Sequence, residues 1–231
     1  MIEIEHVSKH FGRVHALSDV DLYIEPGERI ALVGSNGSGK TTLLRAMLGL
    51  IRVSGQIRIG GVDVATQPVD ALRELAYVPQ ISPPIEAPVR EVVTAFASLR
   101  GVDAGAVVDC AAELGLELPA QLATRFRDLS GGMRQKLLAA MALAVNPKIL
   151  ICDEPTANLD AAAREAFLDR LDRRPSDSIL IVCSHHDADV RPLVTRVVAM
   201  REGAVQSDER TTEVPSGLRL NRSLSGRRVY A

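Results

Sequence analysis

The segment at residues 34–41 constrains the possible folds of this chain more than any other. It reads Gly-Ser-Asn-Gly-Ser-Gly-Lys-Thr and fits the pattern G-x-x-x-x-G-K-[ST]. A short apolar stretch precedes it at residues 29–33, and helical spacing follows from residue 41 to about 50. Glycines let the backbone N–H groups of such a loop turn inward around phosphate oxygens, and the start of the next helix adds partial positive charge. The sequence therefore predicts a phosphate-binding loop between a buried strand and a helix, in preference to a plain glycine-rich turn.

Two acids follow a second apolar stretch at residues 148–152. A carboxylate at the end of a buried strand beside a phosphate loop can hold Mg²⁺, which is the role predicted for Asp153. The next residue, Glu154, would then face the terminal phosphate and polarise an attacking water. Within the loop, Lys40 can reach the β- and γ-phosphates, and the Thr41 hydroxyl can coordinate Mg²⁺. A solvated strand end is the alternative interpretation of the two acids.

A second anion site is indicated at residues 129–132, which read Leu-Ser-Gly-Gly and precede another helical run. Ser130 is a candidate N-cap of that helix, and Gly131 and Gly132 leave backbone N–H groups accessible. An ordinary capped helix with a glycine hinge explains the same residues equally well. Both interpretations stay open on the physical chemistry alone.

Apolar strands alternate with helical patterns along most of the chain, which predicts an α/β fold with a parallel sheet covered on both faces. Between about residues 88 and 128, alanine, valine and leucine dominate with helical spacing, so this segment is a candidate helical insertion. From about residue 207 the sequence is polar and rich in arginine, without a clear period. The predicted strands are residues 2–7, 20–24, 29–33, 55–61, 75–78, 148–152, 178–183 and 196–200, and further helices are predicted at 131–145 and 161–171.

Composition excludes several classes of protein. Apolar residues make up 46% and charged residues 24% of the 231 residues, which argues against a disordered or collagen-like chain. The net charge of −2 provides no basic field, so no nucleic-acid partner is expected. The longest apolar run has nine residues, whereas a bilayer span needs about 20. We therefore expect the chain in the cytoplasm, or on the cytoplasmic face of a membrane where a partner holds it.

Taken together, six motifs resemble those of the nucleotide-binding subunit of an ATP-binding cassette (ABC) transporter, within the P-loop NTPase superfamily. The similarity covers about residues 1–205. Its specific element is Leu-Ser-Gly-Gly, since many NTPases carry only the phosphate loop and the acidic strand end (Walker B). The motifs are residues 34–41, 77–80, 129–132, 149–154, 158–160 and 184–185.

The resemblance implies an α/β P-loop NTPase cassette with a mostly parallel core sheet. An N-terminal antiparallel β-subdomain and an α-helical subdomain, inserted at about residues 86–135, are expected to complete an ATPase domain of residues 1–205. Residues 206–231 are expected to form a flexible C-terminal tail.

The resemblance also implies roles for residues that spacing alone does not assign. Gln80 resembles the glutamine that touches Mg²⁺ or the attacking water and senses the membrane subunit, and His185 resembles the histidine that contacts the γ-phosphate. Asp160 resembles an aspartate that acts across a cassette dimer, and Phe11 resembles an aromatic residue that stacks on adenine. Their alternatives are a surface glutamine, half of a metal-binding pair with His186, a helix N-cap and a core residue, respectively.

By the same resemblance, ATP with Mg²⁺ is expected to bind between two cassettes, in a homodimer or a heterodimer. The pair would power a separate multi-span membrane subunit. The expected catalytic residues are Glu154, His185, Gln80 and Lys40, the expected metal ligands are Thr41, Gln80 and Asp153, and the expected nucleotide contacts are Phe11, Gly34, Ser35, Asn36, Gly37, Ser38, Gly39, Lys40, Thr41, Thr42, Ser130, Gly131, Gly132 and Asp160.

Other functions stay open on the sequence. A soluble cassette ATPase of DNA repair or translation would share these motifs, although repair members insert long coiled coils or zinc-binding cysteines and translation members carry two cassettes. A P-loop kinase or GTPase would lack Leu-Ser-Gly-Gly. For the cargo, the compact helical segment and the residues after Ser130 look more like export-type or cofactor-maturation cassettes. However, Tyr-Val-Pro-Gln at residues 77–80 is also similar to metal-ion importer cassettes.

Overall fold

The computed structural model describes residues 1–184 and 191–211. Strands and helices alternate through most of this part of the chain, as the sequence predicts. The strands are β1 (Ile2–Phe11), β2 (Val14–Ile24), β3 (Arg29–Val33), β4 (Ser54–Ile59), β5 (Val62–Asp63), β6 (Leu75–Val78), β7 (Ile149–Asp153), β8 (Ile179–Cys183), β9 (Arg196–Arg201) and β10 (Ala204–Arg210). The α-helices are α1 (Lys40–Met47), α2 (Pro68–Ala71), α3 (Val89–Arg100), α4 (Ala104–Glu113), α5 (Gly131–Ala144) and α6 (Ala161–Asp172).

The strands form two sheets. The first is antiparallel, with the order β2-β1-β4-β5, and the second has the order β10-β9-β3-β8-β7-β6. In the second sheet β9, β3, β8, β7 and β6 run parallel to their neighbours, and only β10 pairs antiparallel, with β9. The predicted α/β fold, with a mostly parallel core sheet and an N-terminal antiparallel sheet, is confirmed.

The central strands are apolar along their whole length because both faces of their sheet are covered. All five residues of β7 are buried, and so are all five of β8. Side chains alternate across the sheet. Leu150 and Cys152 therefore enter the apolar cluster that includes α3 to α6, while Ile149 and Ile151 enter the cluster shared with α1 and the antiparallel sheet.

The segment predicted to be helical contains α3 and α4, followed by two short 3₁₀ turns, Leu118–Gln121 and Phe126–Asp128. Helix α3 buries Val89, Val92 and Val93, the residues whose spacing predicts it. Helix α4 packs against both α3 and α5, and α5 also contacts β6 of the core sheet. Helix α5 therefore joins the helical segment to the core.

The C-terminal boundary differs from the prediction. Strand β10 crosses residue 205, so residues 206–210 belong to the core sheet instead of starting a tail. Arg196 explains the pairing, since its guanidinium lies 2.6 Å from Asp208 on β10 and 2.7 Å from Glu28 beside β3. A polar strand held by ion pairs has none of the apolar alternation by which strands are recognised in a sequence. The remaining residues of the predicted tail, 212–231, lie outside the described part.

Several element bounds also shift. Strand β2 begins at Val14, six residues before the predicted strand at 20–24, because the whole segment pairs with β1. Helix α1 ends at Met47, since Gly49 takes a left-handed φ of 66°. Among the described residues, no helix is long and apolar enough to cross a membrane.

Candidate active site

The phosphate-binding loop predicted at residues 34–41 connects β3 to α1, as expected. Gly34, Gly37 and Gly39 have φ angles of 147°, 80° and 104°, a region that side chains disfavour. A Cβ added to Gly39 would lie 2.7 Å from the carbonyl oxygen of Ala16. The backbone conformation therefore favours glycine at all three positions, and close packing also requires it at Gly34 and Gly39.

Lys40 begins α1 and lies inside the loop, with 8% of its surface exposed. Its Nζ donates hydrogen bonds to the carbonyl oxygens of Gly34, at 2.7 Å, and Ser35, at 3.1 Å. The loop thus wraps around a compact positive charge whose donors can be shared with phosphate oxygens.

Asp153 ends β7 beside this loop. The Thr41 hydroxyl lies 3.4 Å from its Oδ1 and the Tyr77 hydroxyl 3.5 Å from its Oδ2, each as the donor. Burial raises the pKa of Asp153 above its ordinary value, and the Thr41 hydroxyl opposes that shift. A hydroxyl and a buried carboxylate side by side are hard oxygen donors, which is the type of ligand set that Mg²⁺ prefers. The residues present therefore fit the metal that the sequence predicts.

Glu154 follows directly and has an unusual backbone. Its φ is 48°, in the left-handed region, and 8% of its surface is exposed. Its N–H donates to the carbonyl oxygen of Cys183 at the end of β8, with an N···O distance of 3.0 Å. Such conformations are costly for a residue with a side chain and concentrate at active sites, where they aim a functional group.

A pocket of about 490 Å³ opens over these residues, within the size range of small-molecule and cofactor sites. Residues 36–42 of the phosphate loop line it, together with both acids, Gln80 after β6 and Phe11 at the end of β1, whereas the predicted contacts Gly34 and Ser35 do not. The parallel strands β3 and β7 end at the same edge of the sheet, on either side of β8, which brings the loop and the acids together. The lining residues are Phe11, Val14, Ala16, Asn36, Gly37, Ser38, Gly39, Lys40, Thr41, Thr42, Gln80, Asp153 and Glu154.

Phe11 lies at the rim of the pocket, where β1 ends, and 50% of its surface is exposed. The Lys9 ammonium lies 5.0 Å from the centre of the Phe11 ring and also donates to the carbonyl oxygen of Arg52. The alternative of a core residue is therefore wrong for Phe11. A half-exposed aromatic face beside a pocket suits stacking on a planar base.

The Leu-Ser-Gly-Gly segment does not contribute to this pocket. Ser130 is the N-cap of α5, and its Oγ accepts a hydrogen bond from the Met133 N–H at 3.2 Å. Both Ser130 and Gly131 are exposed. Accessible N–H groups at the start of a helix are of the type that can bind an anion.

Asp160 also lies outside the pocket and has partners in its own chain. Its Oδ1 accepts from the Ala163 N–H at 2.9 Å, so it is the N-cap of α6. Its Oδ2 lies 2.7 Å from the Nζ of Lys136 on α5, and this contact lowers the pKa of Asp160. The predicted His185 lies outside the described residues, as does His186.

Sequence reasoning missed three residues of the site. Val14 and Ala16 line the pocket because β2 begins earlier than predicted. Tyr77 is part of a recognised motif, but its contact with Asp153 depends on the pairing of β6 with β7, which no local pattern encodes.

Comparisons with known proteins agree with this geometry. The sequence model of the ABC transporter family matches residues 17–157, which include the phosphate loop, the Leu-Ser-Gly-Gly segment and both acids. The chain belongs to the ABC transporter family. The expected resemblance to a nucleotide-binding subunit of this family is thereby confirmed.

Two relatives of this ABC family member differ in how much of their length the chain covers. A putative ABC transporter ATP-binding protein of Streptomyces avermitilis is 39% identical over 91% of this chain, which spans 38% of that relative's length. The lipoprotein-releasing system ATP-binding protein LolD of Porphyromonas gingivalis is 32% identical over 90% of this chain and is covered along its full length.

Solved structures show the same cassette fold. The ATP-binding subunit of an ABC transporter superposes with a TM-score of 0.81 and 25% identity, over 98% of this chain and 95% of that one. A dimeric structure of the ATP-binding cassette MJ0796, bound to ADP and Pi, gives a TM-score of 0.78 and 25% identity, over 91% and 98% of the two chains.

Proposed function

We propose that this chain binds and hydrolyses ATP and powers an ABC transporter. The observation that carries the proposal is the convergence of Lys40, Thr41, Asp153 and Glu154 on one pocket, although 112 residues separate Thr41 from Asp153. A loop for phosphates, oxygen ligands for a metal and a carboxylate for water are the parts that phosphoryl transfer to water needs. The core sheet fixes the positions of both acids, since Asp153 ends β7 and the N–H of Glu154 donates to the carbonyl oxygen of Cys183 at the end of β8.

The phosphates of ATP bind the N–H groups of the loop, and the Lys40 ammonium turns from the loop carbonyls to the β- and γ-phosphates. The remaining loop residues, from Gly34 to Thr42, supply the other phosphate contacts, and the adenine stacks on Phe11. Thr41, Asp153 and Gln80 would hold Mg²⁺, and the bound metal would neutralise charge on the phosphate oxygens.

Glu154 accepts a proton from the attacking water, and its left-handed backbone aims the carboxylate into the pocket. Lys40 stabilises the charge that develops on the transferred phosphoryl group. The role of His185 at the γ-phosphate remains part of the proposal on the sequence alone.

Two copies complete each site. The residues Ser130, Gly131 and Gly132 do not line the pocket of their own chain; their N–H groups reach the γ-phosphate of a second chain, and Asp160 lies at the same interface. A two-fold dimer in which each surface meets the other satisfies both sites at once. The dimeric cassette MJ0796, 25% identical, supports this arrangement.

The membrane partner is a separate multi-span subunit, which places the cassette at the cytoplasmic face of the membrane. Next to Gln80, the side chain of Ile81 is 76% exposed, so the loop offers an apolar contact for that partner. Transporter names among the relatives favour this function over a soluble repair or translation ATPase. Those names include both a sulfate/thiosulfate import protein and a lipoprotein-releasing one, so they lend no weight to the export-type cargo that the sequence favours.

The test is the change Glu154→Gln. We expect ATP turnover to fall by about 100-fold or more, the range for loss of a general base, while ATP still binds and holds two chains together as a dimer in light scattering. Lys40→Ala serves as the control that loses ATP binding itself. Turnover within a few-fold of the parent in Glu154→Gln would overturn the proposal. For the transport function, purification from membranes that recovers no multi-span partner would contradict it.

A further inference from the structure

A buried glutamine joins three of the motifs without lining the pocket. Gln135 lies in the second turn of α5, five residues after Ser130, and 1% of its surface is exposed. Its Nε2 lies 3.3 Å from the carbonyl oxygen of Pro79 and 3.3 Å from that of Pro155, as the donor to both. Pro79 directly precedes Gln80, and Pro155 directly follows Glu154.

The chemistry of the side chain fixes its orientation. A carboxamide nitrogen has two N–H donors, and the two carbonyl oxygens use both. Turning the amide over would bring its oxygen against two other oxygens, so only one assignment fits the surroundings. Gln135 therefore connects the loop at Gln80 to the strand end at Glu154 through two hydrogen bonds. We call this pair of hydrogen bonds the clamp.

Packing alone does not require a glutamine here. The Oε1 of Gln135 is buried and has no hydrogen-bond partner within the described part of the chain. Native proteins leave few buried polar atoms unpartnered, and each such atom needs an explanation. The neighbours of Gln135 along the buried side of α5 are apolar, so an apolar side chain of similar volume would suit the helix itself better.

We propose that Gln135 is a positioning residue that couples the start of α5 to the two catalytic loops. A helix is stiff over one or two turns, so the direction in which Ser130 and Gly131 face follows the position of Gln135. Because Gln135 is hydrogen-bonded to both carbonyl oxygens, the position of α5 depends on the positions of the loop at Gln80 and the end of β7. The N–H groups at the start of α5 are therefore oriented toward a second chain only when both segments are correctly placed. This inference rests on the proposed function, because it assumes that ATP closes a dimer.

The change Gln135→Leu tests the clamp. Leucine removes the unpartnered oxygen, but it also leaves the carbonyl oxygens of Pro79 and Pro155 without the Gln135 donor, so we expect a moderate fall in the thermal midpoint. The ATP affinity of the single chain should stay within about twofold of that of the parent. ATP turnover at saturating ATP should fall at least tenfold, because the N–H groups at the start of α5 are no longer correctly oriented toward the second chain.

The deciding measurement is made in the Glu154→Gln background by light scattering. With Gln135→Leu added, half-maximal dimer formation should need at least tenfold more ATP. Gln135→Met, with an unbranched side chain of similar length, is measured in parallel in case leucine disturbs the helix. Gln121→Leu is the matched control, since that half-buried glutamine lies in the helical segment away from the motifs, and both readouts should stay at the parent values.

Either folded variant with normal turnover and a normal ATP requirement for dimer formation would overturn the proposal. A parallel fall in thermal midpoint and single-chain ATP affinity would show a merely structural role and would overturn it as well. If Glu154→Gln alone forms no dimer with ATP, the proposed function fails, whatever Gln135 does.

Discussion

The two anion-binding surfaces of this cassette differ in how completely one chain builds them. At the phosphate loop, Lys40 and Asp153 are buried, and each has hydrogen-bond partners in the same pocket. At the start of α5, Ser130 and Gly131 are exposed, and among the described residues the Ser130 side chain is hydrogen-bonded only within its own helix turn. Under the proposed function, the first surface is one half of a site and the second supplies the other half to another chain.

The difference between the two surfaces can be measured by replacing a glycine of each with alanine, because the added methyl group reports how much space surrounds that glycine. At Gly39 the added carbon meets the backbone of the same chain, whereas at Gly131 it meets no atom of the described residues within 4 Å. Packing within the described part of one chain therefore does not require glycine at Gly131. It would have to come from a partner or from a ligand held by a partner.

The largest expected effect is that of Gly39→Ala. The residue has a φ of 104°, and the new Cβ would lie 2.7 Å from the Ala16 carbonyl oxygen, so the change should cost about 1–3 kcal/mol of folding stability. ATP binding should also be lost, because the loop cannot keep its shape. Calorimetric titration with ATP and a denaturant melt check the two effects. Retained ATP affinity would show that the loop is less constrained than its packing indicates.

Gly131→Ala should separate the two surfaces. We expect unchanged or slightly higher stability, since alanine favours a helix, and unchanged ATP affinity of the single chain. Turnover should fall at least tenfold, because the methyl group lies where the phosphate of the second chain must approach. A thermal melt, an ATP titration and an ATPase assay distinguish these outcomes. Full activity in this variant would remove the reason to assign Gly131 to a shared site.

A smaller effect is expected at the rim of the first surface. Phe11→Ala removes a half-exposed ring, and the loss of stacking should weaken ATP affinity by about tenfold, on the scale of 0.5–1.5 kcal/mol for aromatic pairs. Phe11→Tyr keeps the ring and should bind ATP like the parent. Comparison of the two variants by ATP titration checks the assignment, which an unchanged affinity in Phe11→Ala would contradict.

The smallest effect concerns the pH dependence of folding stability that arises from the ion pair between Asp160 and Lys136 on α5. The Lys136 contact lowers the pKa of Asp160 below its ordinary value of 3.8, so the carboxylate contributes stability that is complete above that value. This contribution is lost as the pH falls through the lower pKa of the folded state. Thermal melts of the parent between pH 7 and pH 3 should show the loss, and Asp160→Asn, which keeps a capping side chain without the charge, should lack that part of it.

What the sequence predicts well is local. The phosphate loop, the apolar strand before Asp153 and the capped helix after Leu129 depend on neighbours within a few residues, so spacing and residue type are sufficient. The family match then confirms the ABC transporter family that these motifs indicate. The sequence leaves open a core position for Phe11 and an N-cap role for Asp160; the structure excludes the first and shows the second.

What the sequence does not predict depends on distant partners. Strand β10 is polar and is held by the ion pair between Arg196 and Asp208, which needs the antiparallel return of the chain. The contacts of Gln135 join carbonyl groups 56 and 20 residues away. Only its burial among apolar neighbours on α5 could have drawn attention to it.

The central claim is that each chain supplies one half of each site. It is tested most directly by mixing two inactive variants, Lys40→Ala and Gly131→Asp, since a mixed dimer has one site with an intact pocket from one chain and an intact helix start from the other. If the variants paired at random, half of the dimers would be mixed, with one of two sites intact, and ATPase activity would return to about a quarter of the parent value. Because ATP holds the dimer together and Lys40→Ala does not bind ATP, mixed dimers are favoured over pairs of Lys40→Ala chains. The account therefore predicts recovery to about a quarter of the parent value or more. A mixture that stays as inactive as its two components would contradict it.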